Sequence, residues 1–380
     1  MLLAGTRVLA FENGLAGPLA SRLLADLGAD VVKVERPDGG DVTRGWDTAA
    51  RGLSSGFVWM NRGKRSVALD VKDPDARPAL ERLVARSDVF LHNSTPGWTE
   101  RVGLGWDDVR RLRADIVYVD ISGYGPDGPY AHRNAYDLVM QGESGLVSVT
   151  GSPEAPARVG ISVCDVGAGS YAAVAVLAAL VRRGRTGEGA RISVSLFDTM
   201  VDWLGYFPHL WWHRQEVPER TGLRHPHFCP YGPFPAGDGR LVGLAVLSEP
   251  HWRALCTDVL GRPELLADRR FQTNEGRVEH RAELEGSLEK AFAALPAEEW
   301  LERLEAARIP FGAVNELPAV MEHPQLRHNR LVAEIGSPVG TIPTIGNPFL
   351  VAGDRPEPGP VPALGEHTAE VLRELGLDSR

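Results

Sequence analysis

The chain has 380 residues, a formal net charge of −9, 43% hydrophobic residues and 24% charged residues. This length exceeds that of an average domain and predicts two lobes, or one large domain with an insertion. The acidic balance argues against a general nucleic-acid-binding protein, which would carry an excess of Lys and Arg. Cys164, Cys229 and Cys256 are far apart in sequence, which argues against a disulfide framework or a zinc cluster and favours a reducing compartment.

The hydropathy of the chain gives no sign of a membrane protein. The first residues lack the basic and apolar regions of a secretory signal. The longest apolar run, 172–181, is about half the length that a bilayer span needs. We therefore expect a cytoplasmic protein with no membrane or nucleic-acid partner, in which this run forms a buried helix.

The first forty residues predict a strand, a turn, a helix and a second strand. Residues 7–12 form a short apolar strand candidate, and Pro18 stands where the first position of a helix would be. Apolar residues recur at helical spacing over 19–27, and Gly28 gives a C-terminal stop before the strand candidate at 31–35. This order predicts a right-handed parallel βαβ unit.

The alternation of helix and strand continues through the first half of the chain and predicts a doubly wound α/β domain. Its further elements are expected at 75–86, 88–92, 106–113, 116–122 and 191–195. Beyond an aromatic-rich helix at 196–213, the chain is predicted to form a Pro-, Gly- and His-rich linker, a smaller α/β unit at 241–314, a Pro/Gly-rich stretch at 335–362 and a final helix from about Thr368.

Two features near the N-terminus suggest a phosphate-containing ligand. Gly14-x-x-Gly17 with Glu35 closing the next strand invites a dinucleotide-binding interpretation, but the complete G-x-G-x-x-G pattern is absent. Close packing of helix on strand explains the glycines better. Cationic side chains near predicted strand ends are phosphate candidates, with simple surface charge as the alternative: Arg36, Arg44, Lys64, Arg65 and Arg101.

His209 and His213 lie four residues apart on a predicted helix, a spacing that can hold zinc. The residues between them are Leu210, Trp211 and Trp212, with no neighbouring Glu to act as a general base. An aromatic helix that packs on a partner explains the pattern better, so we expect no metal site.

Asp165 is the most informative single residue. It is predicted to end an extended segment at 160–165 and to stand at the entrance of a helix at 168–181 that is apolar on all sides and buried. The positive end of the helix dipole would stabilise its ionised form by about 1–2 kcal/mol. Gly167 and Gly169 are expected to present backbone N–H groups beside it, as a site for oxyanions requires.

A plain helix cap, worth about 1 kcal/mol, is the alternative for Asp165 and is the interpretation that spacing alone favours. The same alternative applies to Tyr136 and Asp137, which are predicted to open a second helix. Spacing by itself leaves both interpretations open.

The order of several short motifs resembles that of the family III coenzyme A transferases from one end of the chain to the other. The matching blocks are 15–18, 28–37, 40–46, Asn61-Arg-Gly-Lys-Arg-Ser66, Tyr136-Asp-Leu-Val-Met-Gln141, 187–189, 345–349 and Leu364-Gly-Glu-His-Thr368. The resemblance implies an α/β fold with a Rossmann-like large domain and a smaller α/β domain, in an interlocked homodimer. The implied boundaries are 1–215 for the first part of the large domain, 216–240 for a linker, 241–320 for the small domain and 321–380 for a second linker and the return to the large domain.

The resemblance also implies roles for individual residues. Asp165 corresponds to the catalytic aspartate of the family. Coenzyme A or an acyl-CoA is the implied substrate, with no tightly bound cofactor and no metal. The residues implied to bind it are Ala16, Arg36, Leu69, Asn93, Arg101, Tyr136 and Asp137.

The implied reaction moves CoA from an acyl-CoA, with succinyl-CoA a candidate donor, to a small carboxylic acid through mixed-anhydride and aspartyl-CoA thioester intermediates on Asp165. One alternative is an α-methylacyl-CoA racemase, and another is a non-catalytic CoA-binding protein. Racemases of this family carry a His where this chain has Tyr136, and a phenol is a poorer general base at neutral pH than an imidazole. That difference favours transfer. Leu15 stands where the formyl-CoA members carry a glutamine, so their oxalate specificity is not expected.

Overall fold

The computed structural model describes residues 1–377. The chain divides into two compact units. The first comprises Met1–Leu146, Val159–Pro208 and the chain from Pro324 on, and the second comprises Val147–Arg158 and His209–His323. The first unit is therefore assembled from separate parts of the sequence.

The strands and helices of the described residues are numbered here in chain order. The strands are β1 (Arg7–Phe11), β2 (Asp30–Glu35), β3 (Lys64–Ala68), β4 (Val89–His92), β5 (Val117–Ser122), β6 (Ala190–Ser195), β7 (Tyr231–Pro235), β8 (Leu241–Ala245), β9 (Phe311–Ala313), β10 (Val332–Ile335) and β11 (Ile342–Ile345). The α-helices are α1 (Ala16–Asp26), α2 (Ser55–Asn61), α3 (Arg77–Ala85), α4 (Trp98–Arg101), α5 (Trp106–Leu112), α6 (Asp137–Glu143), α7 (Leu146–Val149), α8 (Val163–Thr186), α9 (Leu196–Trp203), α10 (Phe207–Arg214), α11 (Glu249–Ala254), α12 (Glu264–Ala267), α13 (Asn274–Glu279), α14 (Arg281–Phe292), α15 (Ala297–Ala306), α16 (Leu317–Met321), α17 (Pro324–His328) and α18 (Thr368–Glu374).

A six-stranded parallel sheet organises the first unit, which confirms the predicted α/β class. Its strand order is β3-β2-β1-β4-β5-β6. The order reverses between β1 and β4, and open α/β sheets bind ligands in the crevice at the carboxyl ends of the strands on either side of such a reversal. The turn after β1 and the loop after β4 therefore lie at the place where a ligand site is expected.

Both faces of this sheet are buried, and alternate strand residues pack on opposite faces. Val8 and Ala10 of β1 pack with apolar residues of α1 and α8, whereas Leu9 and Phe11 pack with residues of α3, α5 and α18. Strands that are covered on both faces read as continuous apolar runs. This is why β1, β2, β4 and β5 could be recognised in the sequence, whereas β3, which begins with Lys64 and Arg65, was not predicted.

Helix α8 differs from its prediction in two ways. The helix begins at Val163, so Asp165 lies in its first turn and the extended segment predicted at 160–165 is wrong. The helix is also only partly buried, because Val174 and Val181 are 62% and 57% exposed. Its 24 residues are long and apolar enough to cross a membrane, a test that the core helices of globular proteins also pass. In the first unit it packs on α1 and on β5.

The aromatic helix predicted at 196–213 is interrupted. Helix α9 ends at Trp203 and α10 begins at Phe207. Gly205 between them has φ +64, a left-handed conformation that an α-helix cannot contain.

The second unit is built on the antiparallel sheet β7-β8-β9. Helices from α11 to α15 supply most of its remaining core, in which Phe292 packs between the rings of Phe234 and Trp300. This unit has its own apolar core. It also contains the whole of the segment 241–320 that the sequence predicted as a small domain.

Candidate active site

A cavity of about 890 Å³ opens at the carboxyl ends of the parallel strands in the first unit. Its walls come from the loops that follow β1, β2, β3, β4 and β5, together with the start of α8. The residues predicted to bind CoA or to react that line it are Ala16, Arg36, Leu69, Asn93, Tyr136 and Asp165. The structure therefore brings these six predicted residues to one cavity.

Two of the predicted residues do not line this cavity. Arg101 lies on α4, is exposed, and donates to the carbonyl oxygen of Pro96 at 3.3 Å. Asp137 is buried at the start of α6, behind the cavity wall. Asp137 therefore contributes to the site indirectly, by accepting a hydrogen bond from the first turn of α8.

Asp165 is the third residue of α8, and its carboxylate lines the cavity. The carboxylate accepts a hydrogen bond from the backbone N–H of Ala16, the first residue of α1. The first turn of α1 has no side-chain cap, so its N–H groups are available to an anion. Asp165 thus lies where the N-terminal ends of α1 and α8 meet.

Asp137 and Gln141 hold the start of α8 in place. Asp137 accepts a hydrogen bond from the backbone N–H of Cys164 at 2.8 Å, and it also accepts one from the Gln141 amide at 2.6 Å. The Gln141 amide oxygen accepts from the backbone N–H of Val159 at 2.8 Å. Because Ser162 provides no side-chain cap for α8, these contacts from α6 take over that role.

The pKa of Asp165 is raised to about 7, first by burial and then by the nearby Asp137 carboxylate, while the Ala16 N–H lowers it. The sequence predicted that the helix dipole would favour the ionised form. Asp165 does stand at the positive end of α8, but burial and a second carboxylate outweigh that contribution. A carboxyl of this kind changes its charge near neutral pH.

Gly167 and Gly169 do not act as predicted, because both lie inside α8 and are buried. A Cβ on Gly167 would lie 2.9 Å from side-chain atoms of Met200 and Thr199 on α9. A Cβ on Gly169 would lie 2.7 Å from the carbonyl oxygen of Ala16. The glycines are therefore points of close helix packing, and their N–H groups do not form an oxyanion site.

The Asn93 side chain supports the turn between β1 and α1. Its amide oxygen accepts from the backbone N–H of Asn13 at 2.9 Å, and its amide nitrogen donates to the Asn13 carbonyl at 2.7 Å. Gly17 approaches the same side chain so closely that a Cβ would lie 2.9 Å from Asn93 Cγ. Asn93 therefore shapes the wall of the cavity through the backbone beside it.

A buried group of charges adjoins the cavity, and two of its members, Glu12 and Asp41, contribute to the cavity wall. Glu12 Oε1 accepts from Lys64 Nζ at 2.6 Å and from Lys33 Nζ at 3.4 Å. Lys33 also donates to Asp41 at 2.7 Å, and Asp41 accepts from the backbone N–H of Gly14 at 3.3 Å. Burial lowers the pKa of Lys64 to about 8 despite the Glu12 carboxylate. This network ties the glycine turn to β2 and β3.

Most of the cations proposed from sequence as phosphate ligands are already paired. Lys64 belongs to the buried network, Arg44 donates to Glu35 at 2.8 Å, and Arg65 donates to Asp30 at 2.7 Å. Glu35 is itself held by several donors, which leaves it unsuited to a ribose hydroxyl. Sequence analysis assigned no site role to Trp46, which ends the matching block 40–46, or to Arg133, which lies in a loop outside the matching blocks, although both line the cavity.

Residues 3–368 match the protein family described as CoA-transferase family III. The chain belongs to this family.

Relatives of this family III CoA-transferase cover almost its whole length. It is 37% identical to the succinyl-CoA:glutarate CoA-transferase of Mus musculus over 98% of this chain and 86% of that protein. It is 35% identical to the succinate–glutarate CoA-transferase of Agrobacterium fabrum over 98% and 95% of the two chains. A crystal structure of a CAIB/BAIF family protein from Brucella suis has a TM-score of 0.88, 33% identity and coverage of 98% and 99%.

These findings identify the chain as a CoA-transferase enzyme and agree with its parallel α/β architecture. A transferase of this kind must hold a CoA thioester next to a reactive group. The cavity with Asp165 in its wall is a site of suitable size for such a ligand.

Proposed function

We propose that this CoA-transferase moves CoA from succinyl-CoA to another small dicarboxylic acid, with Asp165 as the nucleophile. The observation that carries the proposal is the position of Asp165, half-buried in the wall of a cavity of about 890 Å³ and bound to the N-terminus of α1. The names of relatives at about 35% identity support the substrate class, since they pair succinyl-CoA with glutarate or mesaconate.

The reaction begins when an ionised Asp165 oxygen attacks the thioester carbonyl carbon. A C–O bond forms, the C–S bond breaks, and CoA leaves as a thiolate, which gives a mixed anhydride of Asp165 and the donor acid. The thiolate then attacks the aspartyl carbonyl and releases the donor as a carboxylate. CoA is now an aspartyl thioester, and the acceptor carboxylate runs the same steps in reverse. Covalent catalysis divides one difficult exchange into easier steps.

The first turn of α1 is the proposed source of oxyanion stabilisation. Ala16 donates its N–H to Asp165, Gly17 has the next N–H of the turn, and Pro18 has none. One well-placed backbone donor of this kind contributes about 3 kcal/mol to a transition state. This assignment replaces the predicted donors near Gly167, which lie inside α8.

The proposed CoA site lies on the β2 and β3 side of Asp165. Arg36 follows β2 directly, is exposed, and carries a guanidinium that can give two parallel hydrogen bonds to a phosphate. Leu69 follows β3 and provides apolar wall. We assign Arg36 to the CoA phosphates on this basis.

We also propose that the enzyme acts as a homodimer with a Rossmann-like large domain, as its family resemblance implies. The exposed side of α8 and the neighbouring α9 carries large apolar residues, among them Val174, Val181, Val201 and Trp203. Contiguous exposed apolar surface on a folded domain favours contact with another protein surface. A second copy of this chain is the proposed partner, to be tested by sedimentation equilibrium.

Intact-mass measurement after incubation with succinyl-CoA tests the proposed chemistry. The wild-type enzyme should gain one CoA, the adduct should be lost on treatment with borohydride, and Asp165→Ala should gain nothing. The Asp165→Asn variant, which keeps the size of the side chain, serves as a second negative control. An adduct on either variant, or none on the wild type, would refute the assignment. Exchange of the α-proton of a 2-methylacyl-CoA without an acid acceptor would instead indicate a racemase.

A further inference from the structure

The cavity wall contains an arginine, Arg133, that has no role in the reaction steps proposed above. Arg36 and Arg133 are the arginines in its wall. Arg36 is already assigned to the phosphates of CoA. Arg133 is exposed, and among residues 1–377 no carboxylate lies within ion-pair distance of its guanidinium. An unpaired guanidinium in a substrate cavity is suited to bind an anionic group of the substrate.

An aromatic ring holds the Arg133 guanidinium in place. Its central carbon lies 3.5 Å from the centroid of the Tyr130 ring. Tyr130 packs edge-on against Tyr124 with 5.5 Å between ring centroids, and Tyr124 packs on Phe197 at 6.0 Å. Stacking on a ring occupies the face of a guanidinium and leaves its N–H edges for hydrogen bonds. The arginine is therefore supported in a way that suits two parallel hydrogen bonds to a carboxylate.

The two arginines lie on opposite sides of β1 in the order of the strands. Arg36 follows β2, whereas Ala135, two residues after Arg133, fills the space that a Cβ on Gly123 would need directly after β5. Three strand spacings separate β2 from β5, which amounts to about 14 Å at the sheet edge. Asp165 is bound to Ala16, which follows β1, and so it is placed between the two.

This arrangement divides the cavity into a CoA side and an acyl side. The strand order puts the β5 wall two strand spacings, about 10 Å, from β1. A short dicarboxylate whose one carboxyl group reacts at Asp165 would place its other carboxyl group toward that wall. Tyr136, the residue after Ala135, also lines the cavity.

We propose that Arg133 binds the distal carboxylate of the dicarboxylic acid, both as the acyl group of the donor and as the free acceptor. The proposal rests on the transfer reaction proposed above and makes Arg133 the residue that distinguishes dicarboxylic from monocarboxylic substrates. One residue can serve both acids because they occupy the same acyl site in turn.

The test compares glutarate with its monoamide as acceptors, because the monoamide has the same length and lacks the distal charge. Succinyl-CoA is the donor, and kcat/KM for the acceptor is measured for wild type, Arg133→Gln and Arg133→Lys. Loss of a charge-assisted pair predicts a fall of about 30-fold for glutarate in Arg133→Gln, partly restored in Arg133→Lys. The value for the monoamide should change less than about 3-fold. His132→Gln, an exposed neighbour outside the cavity wall, is the control and should leave both values unchanged.

Equal losses for both acceptors, or no loss for either, would overturn the assignment of Arg133. Binding of free glutarate to the same variants, measured by calorimetry, separates this outcome from a failure of the proposed reaction. Weaker binding to Arg133→Gln than to wild type and His132→Gln supports the carboxylate site even in an enzyme that transfers no CoA to glutarate. Equal binding of glutarate to all three proteins rejects it.

Discussion

Gly169 of α8 faces the carbonyl oxygen of Ala16 so closely that a Cβ on the glycine would lie 2.7 Å from that oxygen. The same Ala16 donates its backbone N–H to Asp165, one turn earlier on α8. The close approach of the two helices and the hydrogen bond to Asp165, the proposed nucleophile, therefore depend on one another. Gly169 has no direct part in the proposed chemistry, but its close contact with Ala16 helps to position Asp165.

Gly169→Ala should separate α1 from α8 and move the Ala16 N–H away from Asp165. Because the obstructed atom belongs to the backbone, we expect the transferase rate to fall at least 10-fold and stability to fall by about 1–3 kcal/mol. Gly184→Ala is the matched control, since Gly184 lies on the same helix with nothing within 4 Å of a Cβ. That control should gain about 0.5–1 kcal/mol. Urea unfolding and the transfer assay would contradict the prediction if the two variants behaved alike.

Asp137→Asn should shift the pH dependence of the first half-reaction. The pKa of Asp165 is about 7, and Asp137 contributes to this rise. The rate of CoA adduct formation in the wild type is therefore expected to increase with pH and to level off above about 7, as the nucleophile ionises. Removal of the second negative charge lowers the pKa of Asp165, so the midpoint for Asp137→Asn should move to lower pH. An unchanged midpoint would show that Asp137 does not act on Asp165 through its charge.

Asp165→Asn should stabilise the protein above neutral pH. The folded-state pKa of about 7 lies above the ordinary value of 3.8, so the folded state resists ionisation of this carboxyl. A difference of about 3 pH units corresponds to about 4 kcal/mol, an upper bound for a half-buried group. The wild type loses this amount progressively as pH rises from 3.8 to 7. The advantage of the variant should thus be greatest at pH 8 and vanish near pH 4, as thermal or urea unfolding at both values would show.

Glu12→Gln should disrupt the buried charge network beside the cavity. Glu12, Lys33 and Lys64 have fully buried side chains, and the glutamate faces both ammonium groups. Removal of one partner from a buried ion pair costs about 3–5 kcal/mol, because it leaves charge uncompensated. Glu188→Gln removes an exposed partner of Arg182 and should cost less than about 1 kcal/mol. Similar midpoints of urea unfolding for the two variants would contradict the importance of the buried network.

The order of the elements in the first unit could be predicted from sequence because it rests on local signals. Buried parallel strands such as β1 and β2 read as apolar runs, and Gly28, with φ +100, ends the helix between them in the predicted way. The prediction failed at 160–165, because the helix begins at Val163, two residues before Asp165, and the segment carries no distinct helical period. The exposed side of α8 was also missed, because an apolar face that meets solvent looks the same in sequence as one that meets the core.

The sequence by itself determined the parallel α/β class and the chain order of most strands and helices in the first unit, and a family resemblance singled out Asp165 as the proposed reactive group. Only the tertiary structure decided the state of that group and its surroundings. The pKa of Asp165 depends on Asp137 and Ala16, which are distant in sequence, and Lys64 is a buried partner of Glu12 instead of a surface cation. Electrostatic and packing interactions act between atoms that are close in space, and folding alone brings such residues together.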